Sequence, residues 1–110
     1  MKLKIYIAGK VTGENKMQCI NKFKEAERQI NELGHEAINP LRVVGTFDVT
    51  WETAMKKCIK ALMDCDVLLF LPCTDKSPGA TWELEIANKL KIPTSKLSIE
   101  VIKQFKKEEK

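Results

Sequence analysis

The chain has no apolar run approaching the roughly 20 residues that a bilayer-spanning helix needs. Its opening, MKLKIYIAG, reaches Gly9 and Lys10 too soon for a secretory leader and reads as a first strand. Neither a membrane partner nor export is expected, and a cytoplasmic location is. Histidine occurs once, at His35, and the four cysteines at 19, 58, 65 and 73 form no C-x-x-C pair. Zinc sites need four convergent ligands, usually tightly spaced, so no metal site is expected. Cys58, Cys65 and Cys73 stand in apolar stretches, where cysteine packs as a small hydrophobe. An excess of one charge is also missing: 19 basic residues against 15 acidic leave +4, much of it in the terminal KQFKKEEK. The basic residues are not interleaved with aromatics, which argues against a nucleic-acid polymer as partner. The glycine patterns G-x-x-x-x-G-K-[ST] and G-x-G-x-x-G are absent as well, and no cofactor is expected.

What the chain does contain is an ordinary globular composition, 44% hydrophobic and 31% charged over 110 residues. That suits one domain, residues 1–110, with a modest core. Short apolar runs alternate with helical periods. KLKIYIAG reads as a strand ending at Gly9, followed by a loop and a helix from about Lys16 to Leu33. The stripe of that helix is Ile20, Phe23, Ala26, Ile30 and Leu33, with Gly34 at the terminating position. HEAINP is a short second strand stopped by Pro40, and LRVVGTFDV reads as a loop with apolar anchors. Thr50 caps a second helix, with Glu52 in its first turn and Trp51, Met55, Cys58, Ile59, Leu62 and Met63 as its buried face. DVLLFLP has the continuous apolar character of a parallel strand buried on both faces. DKSPGATWELEIANKL supplies a third helix and KIPTS a fourth strand. Residues 98–110 form a C-terminal helix or tail, capped by Ser98 and striped by Ile99, Ile102 and Phe105. This alternation predicts a doubly wound α/β domain, a parallel sheet of four or five strands in order 2-1-3-4-(5).

Ligands of such sheets bind beyond the carboxyl ends of the strands. Two glycine-containing loops, AGKVTG after the first strand and PCTDKSPGA after the third, open on that rim. Gly9 and Gly13 serve equally well for a tight turn or for a ligand. SPGA at a helix start can be an ordinary cap, or an anion site made of the Ser77 hydroxyl, the Gly79 and Ala80 amides and the helix dipole. Placed at roughly 100° per residue, Ala80, Leu84, Ala87 and Leu90 fall on one arc. Glu83 lies inside that arc and Glu85 outside it. An ionised carboxylate facing the core costs several kcal/mol if unpaired. Glu83 is therefore either paired with a buried lysine or set at the mouth of the crevice, where a carboxylate can attack an electrophilic carbon.

IYIAGKVTG, CDVLLFLPC and SPGATWELEIA, taken together and in this order, resemble the nucleoside 2-deoxyribosyltransferase-like family, particularly its small phage and bacterial members of unassigned function. The resemblance spans about Lys2 to Ile92. Its specific element is Ser/Asp-x-Gly-x-x-x-Glu on a strand-to-helix turn, matched by Ser77, Gly79 and Glu83. It implies a flavodoxin-like sheet and cleavage of the N-glycosidic bond of a nucleoside or nucleotide. Glu83 matches the family nucleophile, which attacks C1′ of the sugar. Tyr6 and Gly9 match pocket residues beside the sugar and base, and Ser77 the residue that holds a 5′-phosphate in the nucleotide-hydrolysing branch. Lys10 stands in place of a small phosphate-binding residue and can supply charge there. Cys58 stands where the family carries an aspartate that contacts the sugar and assists proton transfer. Family members complete the pocket from a neighbouring subunit, which implies a homodimer or higher homo-oligomer. Loss of that aspartate keeps a second reading in view, a non-catalytic nucleotide-binding or regulatory module on the same fold.

Overall fold

The structure, a computed structural model, describes residues 2–11, 13, 15–71 and 78–96. Ser77, Cys73 and the helix expected after Ser98 lie outside the described residues. Among the described residues four strands and four helices follow in the order β1 (Lys4–Ala8), α1 (Lys16–Glu32), β2 (Glu36–Ile38), α2 (Pro40–Val44), α3 (Trp51–Met63), β3 (Val67–Phe70), α4 (Pro78–Lys89) and β4 (Thr94–Lys96). All neighbouring strands pair parallel, in the order β2-β1-β3-β4. Tyr6 sits opposite Ile38 on one side and Leu68 on the other. This is the expected doubly wound, flavodoxin-like sheet in its four-strand form.

Strand side chains alternate between the two faces of a sheet. Ile5, Ile7, Val67 and Leu69 therefore share one face, where they meet Cys19, Phe23, Ala26 and Ile30 of α1. Tyr6, Ala8 and Leu68 share the other, packed with Cys58 and Leu62 of α3 and Ala80 and Ala87 of α4. Both faces of β1 and β3 are thus covered, which is why their sequences are apolar throughout. Each fully buried side chain such as Phe23, Ile30 or Leu69 contributes about 1.5–3 kcal/mol.

The helices start where polar caps allow it. Asn15 accepts from the Gln18 N–H at 3.1 Å to open α1, and Thr50 accepts from the Thr53 N–H at 3.2 Å to open α3. Three expectations need correction. The segment after Pro40 is not a loop from its start: Asn39 caps α2 by accepting from the Leu41 N–H at 3.0 Å, and Gly45 closes it at φ 84°. Five residues are too few to display a helical period, so apolar spacing could not reveal α2. The buried face of α3 is narrower than expected, since Trp51 and Met63 at its two ends are 38% and 56% exposed. Leu90 follows the last residue of α4 and is 53% exposed, so it leaves the stripe that Ala80, Glu83 and Ala87 form.

Candidate active site

Beyond the carboxyl end of β1 the structure holds a cavity of about 640 Å³, lined at its floor by Gly9, Cys58, Gly79, Ala80 and Glu83. Its outer walls come from α1, α2 and the segment leading into α3, including Lys16, Lys24, Phe47 and Trp51. The first glycine of the β1 loop is fixed by packing: a Cβ on Gly9 would stand 2.7 Å from Leu71 Cδ1 and 3.1 Å from Phe23 Cζ. Gly13 lines the cavity too, but its requirement is conformational: φ is 83°, and an added Cβ would make only ordinary contact with Lys10 Cε at 4.0 Å. Each of these glycines answers a backbone or packing need and also borders the cavity.

Glu83 is the one carboxylate among the described residues that line the cavity. It is 5% exposed, and no lysine among the described residues pairs with it. Instead the Tyr6 hydroxyl donates to its Oε2 at 2.5 Å. Burial pushes the Glu83 carboxyl up to about 7, and the hydrogen bond from Tyr6 partly opposes that rise. Tyr6 itself is fully buried and held neutral, its phenol raised well above the ordinary value by burial first and by Glu83 second. It is not among the described residues that line the cavity, and its bond to Glu83 links it to that lining. Cys58 does line the cavity. Burial pushes its thiol up to about 11, so it is neutral near pH 7.

Gly79 and Ala80 border the cavity in the first turn of α4. Ser77, expected to act with them, lies outside the described residues. Lys10 is half-buried and is not among the lining residues. Its carbonyl takes a weak contact from the Cys19 thiol at 3.9 Å. The basic groups that do line the cavity are Lys16, Lys24 and Arg42, and sequence reading missed them. Lys16, Ile20 and Lys24 recur every four residues and so share one face of α1, a signal that was available. Arg42 is occupied by Glu27, with contacts of 2.7 and 2.9 Å. Lys16 Nζ lies 5.4 Å from the centre of the Phe47 ring. Trp51, also missed as a pocket residue, meets Trp82 edge-on with centroids 5.5 Å apart.

A four-stranded parallel sheet in this order, with a carboxylate set in the crevice beyond β1, defines a flavodoxin-like domain of the nucleoside 2-deoxyribosyltransferase-like fold. A solved 2-deoxyribosyltransferase from the psychrotolerant bacterium Bacillus psychrosaccharolyticus shares it, with a TM-score of 0.64, 20% identity and coverage of 90% of this chain and 79% of that one. At that identity the likeness is one of fold. A family model covers residues 3–95, and the chain belongs to that family, described as Domain of unknown function (DUF4406). Comparison with curated proteins gives no match. Among the described residues no helix is long and apolar enough to cross a membrane, and no three metal-ligating side chains converge.

Proposed function

We propose that the protein is an N-glycosidase or 2-deoxyribosyltransferase acting on a (deoxy)nucleoside 5′-monophosphate or a related nucleotide. The observation that carries this reading is Glu83: a carboxylate nine-tenths buried, bordering a ligand-sized cavity and gripped through one oxygen by Tyr6. Cavities of this size typically take small molecules. With Oε2 held by Tyr6, Oε1 is the oxygen to attack C1′ of the sugar. The C1′–N bond breaks, the base leaves with its electron pair, and a glycosyl ester forms on Glu83. Water or a second base then attacks C1′ and restores the carboxylate. The Gly79 and Ala80 amides at the start of α4, with Ser77, supply the anion site for a 5′-phosphate. The fold shared with a 2-deoxyribosyltransferase supports the reaction class.

One observation favours the second reading, a nucleotide-binding module without turnover. The described cavity lining offers no second carboxylate, and Cys58 stands where a proton-transferring acid is expected. A panel of nucleosides and nucleoside monophosphates, assayed for free base by chromatography, separates the two. Base release from the wild-type protein, abolished in Glu83→Ala while monophosphate binding persists by calorimetry, is the expected outcome. Binding without release from any member of the panel would replace the enzyme with the module.

A further inference from the structure

The lining of the cavity comes from both faces of the sheet, so the cavity passes over the carboxyl end of β1. Glu83 borders it from α4, which packs on the Tyr6 and Leu68 face. Lys16 and Lys24 border it from α1, which packs on the Ile5 and Leu69 face. The anion site proposed for the 5′-phosphate, at Gly79 and Ala80, is on the Glu83 side. A nucleotide with its phosphate there and C1′ at Glu83 extends its base toward α1. We propose that the substrate carries a second negative charge at that end, a carboxylate on the departing base, and that Lys16 and Lys24 bind it. This rests on the nucleotide reading of the cavity.

Lys16, Ile20 and Lys24 all line the cavity and share one helix face, so two ammonium groups flank an apolar strip. Helical rise sets the two lysine Cα atoms about 12 Å apart along the axis, a gap that two four-carbon stems can close onto one group lying over Ile20. Phe47, another lining residue, lies 5.4 Å from Lys16 Nζ and so holds that ammonium at the cavity wall. Neighbouring basic groups are already matched: Arg28 lies against Glu25 and Glu32, and Arg42 against Glu27. Among the described residues no carboxylate pairs with Lys16 or Lys24, and Glu83 is the one carboxylate in the lining. The α1 side of the cavity therefore presents two positive charges to its ligand. Across from Ile20 the wall is Leu41 and Val44 of α2, also apolar. Such walls suit a flat base with a charge on its edge better than a second sugar-phosphate.

The probes are matched nucleotides that differ in charge at the base alone. One pair is 5-carboxy- and 5-carbamoyl-2′-deoxyuridine 5′-monophosphate, and the other is nicotinic acid and nicotinamide mononucleotide. By calorimetry, the carboxylate of at least one pair should bind about tenfold more tightly than its amide, the size of two partly exposed ion pairs. That preference should shrink as salt rises from about 0.05 to 0.5 M. Lys16→Gln and Lys24→Gln should each weaken the carboxylate by about threefold, and the double variant should bind both members alike. Unchanged affinity for the amides shows that the variants are folded. Lys57→Gln, exposed on α3 and outside the lining, should behave as wild type. Equal affinity within both pairs, or a carboxylate preference that survives in the double variant, would overturn the proposal. Absence of binding by all four probes would instead strike the nucleotide reading beneath it.

Discussion

An ionised Glu83 has one hydroxyl holding it, beside a cavity whose floor includes Met55, Cys58 and Ala80. Burial therefore favours its protonated form, and the carboxyl rises to about 7. Folded protein then binds more protons than unfolded protein between the ordinary carboxylate value of 4.5 and about 7. Its stability contribution is fully present below that window and is lost as pH rises through it, a difference of roughly 3 kcal/mol. Glu83→Gln removes the charge and keeps an acceptor for Tyr6. Thermal unfolding should show the variant melting with wild type at pH 4 and several degrees above it at pH 8; equal melting at both would deny the buried charge. Glu83→Ala is a less clean probe of folding, because it strands the Tyr6 hydroxyl at a cost of about 1–3 kcal/mol. The proposed reaction has the opposite pH dependence, since its nucleophile must be ionised: base release should rise through about pH 7. Tyr6→Phe removes the bond that lowers Glu83 and should move that rise to higher pH, read from kcat/KM between pH 5 and 9.

At the scale of elements, the site depends on how closely β1, α1 and the residue after β3 approach one another. Gly9 is where they meet, with Leu71 and Phe23 both within contact of any added Cβ. Gly9→Ala forces those side chains apart in a buried region, at about 1–3 kcal/mol. Its melting temperature should fall by several degrees, and a wild-type melting curve would mean the loop relaxes freely. The short α2 is the other element that shapes the cavity, through Pro40, Leu41 and Arg42. Asn39 is 4% exposed and caps it, so Asn39→Ala should cost about 1 kcal/mol and loosen that wall. Weaker nucleotide binding alongside the lower melting temperature is the result expected by calorimetry. Unchanged affinity would separate α2 from the ligand.

For the whole molecule, the open question is what covers its exposed apolar side chains. Trp82, Met63 and Met17 are 53%, 56% and 64% exposed, and Trp51 stands edge-on to Trp82 at the rim of the cavity. Ile86 is half-buried against the α3–α4 core. We expect a two-fold homodimer, or a larger assembly containing it, with the tryptophan pair in the interface. Light scattering at micromolar concentration should return at least twice the 12.5 kDa of one chain, falling toward one chain in Trp82→Glu. A wild-type monomer would reject this.

The two-sided burial of β1 and β3 and the main helices were legible because they follow from spacing along the chain, continuous apolar runs at IYIA and VLLF and a period of 3.6 in α1, and the parallel order of the strands follows from their separation by helices. Glu83 was legible for the same reason, as a charge where the helical period demands an apolar residue. Sequence alone did not disclose α2, whose five residues set a cap and a left-handed glycine rather than a pattern. Nor did it show that Tyr6 would be the partner of Glu83 from 77 residues away, that Lys16 and Lys24 rather than Lys10 would border the cavity, or that Gly9 would be pinned by Leu71. Local order is written in spacing along the chain. Which side chains converge beyond β1 is decided when α1, α3 and α4 settle on the two faces of the sheet.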